Sequence, residues 1–96
     1  MPSIQLDTAA GTIGAWRADP PAPARAGLVV VQEIFGVNQH IRSVAEHFAT
    51  YGYSTIAPAI FDYVEPGVEL EYDEAGIKRG LQLATQVGFD RAVQAV

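Results

Sequence analysis

Gly27-Leu28-Val29-Val30-Val31 is an unbroken apolar run rich in β-branched residues, and it constrains the fold of this chain more than any other segment. A strand with one wet face would alternate polar and apolar residues. A continuous run fits a strand buried on both faces, as in the middle of a parallel sheet. The next thirty residues agree with this. Glu33–Val37 reads as a loop and Asn38 as a helix N-cap. Ile41, Val44, Ala45 and Phe48 then recur at helical spacing, with Arg42, Ser43, Glu46 and Thr50 facing away. Gly52 stands where the glycine after a helix C-terminus belongs, and Tyr53–Pro58 reads as a second interior strand stopped by its proline. Strand, loop, helix and strand make an α/β unit, parallel and right-handed if both strands share one sheet.

The flanks fit around this unit. Ser3–Asp7 and Thr12–Trp16 alternate and are joined by Ala10-Gly11, the pattern of an antiparallel hairpin at a sheet edge. Trp16 is expected to be a packing residue of that hairpin. Asp19-Pro20-Pro21-Ala22-Pro23 cannot enter a ladder and reads as a surface loop, as does Ala59–Leu70 with its Pro66-Gly67. A second helix is predicted over Asp73–Gln86, with Ile77, Leu81 and Ala84 on its inner face. Gly76 and Gly80 would weaken it by about 1 kcal/mol each relative to alanine. Gly88 would end it, and Asp90 would cap a third helix that has barely begun at Val96. The chain shows no internal repeat, and one domain accounts for it.

Composition narrows the classes of function. Of 96 residues, 49% are hydrophobic and 18% charged, a globular mixture. A net charge of −5 argues against nucleic acid as a partner, since a phosphate backbone needs a basic patch. No apolar run reaches the roughly 20 residues of a membrane helix, so no membrane partner is expected. Met1-Pro2-Ser3 lacks the basic and apolar regions of a secretory leader, which makes the cytoplasm the expected location. There is no cysteine, so disulfides and thiolate metal sites are excluded within these residues.

Chemistry is expected where a strand end meets a helix start, at Val30–Asn38, because functional loops of open α/β sheets gather at the carboxyl ends of strands. A carboxylate there, Glu33, could orient or activate a reacting group beside backbone donors. It could equally be a solvated loop residue, and position alone leaves both readings open. His40 and His47 lie two helical turns apart without a third ligand, which does not make a zinc site. Glu69, Glu71, Asp73 and Glu74 read as a solvated helix entry favoured by the dipole. Gly36-Val37-Asn38 lacks the glycine pattern of a dinucleotide fold.

Gln32-Glu33-Ile34-Phe35-Gly36-Val37-Asn38, followed by His40-Ile41-Arg42, resembles the segment after the third strand of the dienelactone hydrolases, also called carboxymethylenebutenolidases. Tyr51-Gly52-Tyr53, Ala57-Pro58 and Phe61-Asp62 resemble the helix, strand and loop that come next in that family. The resemblance implies the N-terminal part of an α/β-hydrolase fold: an antiparallel hairpin, then parallel strands with crossover helices. It implies hydrolysis of a small lactone or carboxylic ester by a Cys-His-Asp triad, with no metal or organic cofactor. Glu33 matches the glutamate that contacts the nucleophilic thiol. Ile34 matches the residue whose backbone N–H gives half of the oxyanion hole, the other half coming from beside the nucleophile. Residues 1–96 would then be part of one domain that stops before the nucleophile elbow, since no G-x-C-x-G turn is present. Asp73 and Ile77 stand where the family's arginine and tyrosine of the substrate-carboxylate clamp are expected. The alternative is a non-catalytic fragment or one piece of a split assembly. In the family's strand order Leu28–Val31 lies between Thr55–Ala57 and a strand beyond Val96, so the isolated chain is expected to self-associate along that edge.

Overall fold

A computed structural model describes residues 3–96; of the Met1-Pro2-Ser3 start, Met1 and Pro2 lie outside the described residues. Strands β1 (Ser3–Thr8) and β2 (Gly11–Ala18) form the expected hairpin, with Ser3 opposite Trp16 and Leu6 opposite Ile13. Strand β3 (Ala26–Val29) leads through a loop to helix α1 (Gln39–Thr50) and strand β4 (Tyr53–Pro58). β3 and β4 pair in parallel, β2 pairs with β4 antiparallel, and the sheet order is β1-β2-β4-β3. A 3-10 turn (Ile60–Tyr63), helix α2 (Glu74–Val87) and helix α3 (Phe89–Ala95) complete the chain.

Two helical layers sandwich the sheet. Ile13 joins Ile60, Phe61, Val68, Leu83, Val87 and Ala95 in the main core, on the side of α2 and α3. Trp16, three residues along the same strand, points to the other face. There the Arg42 guanidinium of α1 lies 5.4 Å from the Trp16 ring. The indole Nε1 of Trp16 is buried without a hydrogen-bond partner. Asp62 ties the sheet to the turn beyond β4, accepting from Gly14 N at 2.8 Å and from Gly67 N at 3.0 Å.

Several expectations need correction. The strand expected at Leu28–Val31 is Ala26–Val29, and only Val30 N extends the ladder, donating to Ile56 O at 2.8 Å. The pairing ends because the chain must leave the sheet to reach the loop that α1 requires. Arg42 does not face away: it is half-buried on Trp16, donating to Val37 O at 2.9 Å and pairing with Glu69 at 3.0 Å. α3 begins at Phe89, with Gly88 at its N-cap and Asp90 in its first turn, so Asp90 is not the cap. The largest correction concerns α2. Its buried residues are Gly76, Gly80, Leu83 and Val87, whereas Ile77 and Leu81 are 43% and 55% exposed. The two glycines are packing positions. A Cβ at Gly76 would lie 1.9 Å from Glu71 O, and one at Gly80 would lie 2.1 Å from Ile34 O. Losing helix propensity of about 1 kcal/mol per glycine is offset by bringing Leu83, fully buried, into the core, where such burial contributes about 1.5–3 kcal/mol.

Candidate active site

The loop from Val31 to Asn38 leaves the carboxyl end of β3, and main-chain contacts hold it on several sides. Gln32 reaches across to the next strand-end: its Oε1 accepts from Ile60 N at 2.8 Å, while its Nε2 donates to Glu33 O at 3.1 Å. Gly36 N donates back to Glu33 O at 3.2 Å, closing a tight turn around Ile34 and Phe35. Gly36 sits at φ +87°, and a Cβ there would lie 2.1 Å from Val68 O. Only glycine fits both that backbone and that approach. Leu70 N donates to Phe35 O at 2.9 Å, and the Phe35 ring meets Tyr72 edge-on at 4.5 Å.

Beyond the turn, Asn38 starts α1 as expected, its Oδ1 accepting from Ile41 N at 3.1 Å. Its Nδ2 donates to the Tyr72 hydroxyl at 2.9 Å. Asp73 caps α2 in the same manner, accepting from Gly76 N at 2.7 Å. Two capped helices thus converge on one loop, and the 68–72 segment lies along it as a brace.

Glu33 and Ile34 both line a concavity of about 430 Å³, together with Ile60, Phe61, Ala84 and Val87. The Glu33 side chain is exposed and Ile34 is half-buried. Among the described residues the Ile34 N–H has no hydrogen-bond partner. A fixed main chain that leaves one amide free on a residue lining an apolar hollow can stabilise an anion that develops against that amide. A carboxylate on the adjacent residue can hold or move a proton. The positions named for a carboxylate clamp do something else: Asp73 caps α2, and Ile77 lies on its exposed face.

Gly36 is read from the sequence only as part of the motif, Gly80 only as a glycine that weakens its helix, and Tyr72 not at all, although each shapes this loop. A signal for Gly80 was available. Gly76, Gly80, Leu83 and Val87 recur at helical spacing, a buried stripe that begins with small residues.

Comparisons with known proteins point the same way. The model of the dienelactone hydrolase family matches residues 13–94. A Synechocystis protein named "Putative carboxymethylenebutenolidase" is 47% identical over 75 residues, covering 77% of this chain and 30% of that protein. A second protein of the same name, from Azospirillum brasilense, is 45% identical over 64 residues, covering 62% of this chain and 26% of its own length. The fold is shared with a crystal structure described as a "Putative Dienelactone Hydrolase" from Klebsiella pneumoniae, with a TM-score of 0.66 at 23% identity. That match covers 96% of this chain and 39% of the other. The chain therefore spans less than half the length of the relatives it matches.

Proposed function

This chain belongs to the dienelactone hydrolase family, and from that premise we propose that it supplies the carboxylate and one oxyanion donor of a lactone or carboxylic-ester hydrolase. In this reading the nucleophile is a cysteine carried by a later segment of the full-length protein. Its thiolate attacks the ester carbonyl carbon, and the carbonyl electron pair moves onto oxygen. Collapse of that intermediate expels the alcohol oxygen, which takes up a proton, and leaves a thioester for water to cleave. Ile34 N–H donates to the oxyanion, and the Glu33 carboxylate holds the thiol proton so that the thiolate forms when substrate is bound.

The observation that carries the reading is the free Ile34 amide on the loop that follows β3, braced by Gly36, Gln32 and Tyr72. An isoleucine suits this role because the amide acts alone, and its side chain is free to wall the apolar hollow. A reduced thiolate also suits the cytoplasm, where thiols are kept from forming disulfides. The test is Glu33→Gln in the full-length protein, followed by single-turnover acylation with an activated ester. Acylation should slow about tenfold or more, with the urea unfolding midpoint held. Full activity in the variant, or simple unfolding, would remove Glu33 from the mechanism.

A further inference from the structure

We infer that Gly80 is a positioning residue for the oxyanion donor, an inference that rests on the proposed role of the Ile34 amide. Gly80 lies in the middle of α2, 46 positions along the chain from Ile34. A Cβ built on it would meet Ile34 O at 2.1 Å, Ile34 C at 3.0 Å and Ile34 Cβ at 3.0 Å. All three atoms belong to Ile34, and two of them are main chain, so no side-chain rotation could relieve the overlap. α2 therefore rests directly on the peptide that follows Ile34. On the next peptide, Leu70 N holds Phe35 O at 2.9 Å, and Gly36 is seated against Val68 O. With the carbonyl side of Ile34 pinned by a helix and the two following residues pinned by the brace, the backbone of Ile34 has little freedom left. The direction of its N–H is set accordingly. Oxyanion donors act only if they are already aimed at the place where charge develops, and a misplacement of about 1 Å costs on the order of 100-fold.

The same helix provides a control. Gly76, one turn earlier, is equally intolerant of a side chain, since its Cβ would lie 1.9 Å from Glu71 O, yet it makes no such approach to Ile34. Gly76→Ala and Gly80→Ala thus both disturb the seating of α2, but only the second meets Ile34 itself, whereas the first presses on Glu71 in the brace. In the full-length protein, Gly80→Ala should lower kcat about 10- to 100-fold with KM within about twofold. It should also weaken a trifluoromethyl ketone, which forms an oxyanion on the enzyme, by a similar factor. Gly76→Ala should lower the unfolding midpoint and cost clearly less in kcat than Gly80→Ala does. Equal kcat losses in the two variants, or a kcat unchanged in Gly80→Ala, would overturn the inference. If Gly80→Ala does not fold, Ile34→Gly keeps the amide and the main-chain contact with Gly80 but removes the Cβ contact and frees the backbone at that position. It should then lower kcat with KM held, and an unchanged kcat would be equally decisive against the inference. Ile34→Pro, which deletes the N–H, tests the underlying reading separately. Full activity there removes the donor and this inference with it, whereas an inactive Ile34→Pro beside an unaffected Gly80→Ala removes the inference alone.

Discussion

Asn38 and Tyr72, 34 positions apart, are joined by a hydrogen bond from the amide Nδ2 to the phenol oxygen at 2.9 Å. The amide's Oδ1 meanwhile caps α1 through Ile41 N. One buried side chain thus fixes the start of α1 and the brace beside the Glu33–Gly36 turn. Removing it in Asn38→Ala should cost about 1–2 kcal/mol for the cap and bond together. Tyr72→Phe leaves the cap intact but strands a buried donor, for about 1 kcal/mol. Urea unfolding of the full-length protein would check both. The double variant should cost less than the sum, because each change alone already breaks the shared bond.

How much of this was legible beforehand differs from element to element. β4 was predicted at its observed bounds, and the Asn38 cap was readable because cap chemistry is local: one side chain answers one backbone donor. Glu33 and Ile34 were reached through a motif, and the geometry sets them beside a common hollow. The inner face of α2 was misread because Ile77 and Leu81 are the larger apolar residues. Burial there is decided by how closely the helix approaches the Ile34 main chain, which only glycine allows. That approach depends on a partner 46 positions away; the periodicity of Gly76, Gly80, Leu83 and Val87 marks a buried stripe but not the main chain it meets. The Asn38–Tyr72 bond escaped notice for the same reason.

Acid should loosen the contact between the Pro-rich loop and β4. Asp19 accepts from the Ser54 hydroxyl and pairs with Arg17 at 2.9 Å. The Ser54 bond foremost holds its carboxyl below the ordinary value of 3.8; desolvation, next in size, opposes it, and the hydrogen bond and charge of Arg17 add to the lowering. A folded-state pKa below the unfolded one contributes stability that is full above the unfolded pKa and is lost as pH falls through the folded one. The unfolding midpoint should therefore drop slightly more steeply below about pH 4 in wild type than in Asp19→Asn. Asp19 is solvent-exposed, so the difference is small. Identical acid limbs in titrated urea melts would show that the carboxylate does not contribute.

Residues 1–96 alone should not hydrolyse esters. Ser43 is an exposed residue of α1, Ser3 begins β1, and Ser54 lies within β4 with its hydroxyl donated to Asp19. None stands on a strand-to-helix elbow, where a nucleophile is exposed beside an oxyanion hole. Incubating the chain with an activated phenyl ester should give no turnover above the buffer rate. Turnover abolished by replacing one of these serines would refute this, whereas slow hydrolysis indifferent to all three would not.

The isolated chain should also self-associate through β3. This strand ends the sheet order and pairs with β4 on one side only. Its free side runs along Ala26–Val31, a segment with no charge and no proline, and Val29 and Val31 are 43% and 54% exposed. Sheet edges are ordinarily protected by charge, proline, a bulge or a covering element. Here neither of the first two is present, and β-branched residues of low charge favour strand addition. A strand edge is also complementary to itself across a two-fold axis, so a second copy can pair with it without any change of sequence. Sedimentation velocity on the 96-residue chain should show dimers or larger species that grow with concentration. A charge placed on the edge, as in Val29→Lys, should shift the population toward monomer. Hydrogen exchange adds an independent measure, because the Val29 and Val31 amides, on the side of the strand away from Ile56, gain protection only when a partner strand accepts from them. A monodisperse monomer whose Val29 and Val31 amides are already strongly protected would mean that the edge is closed within a single chain, and the prediction would fail.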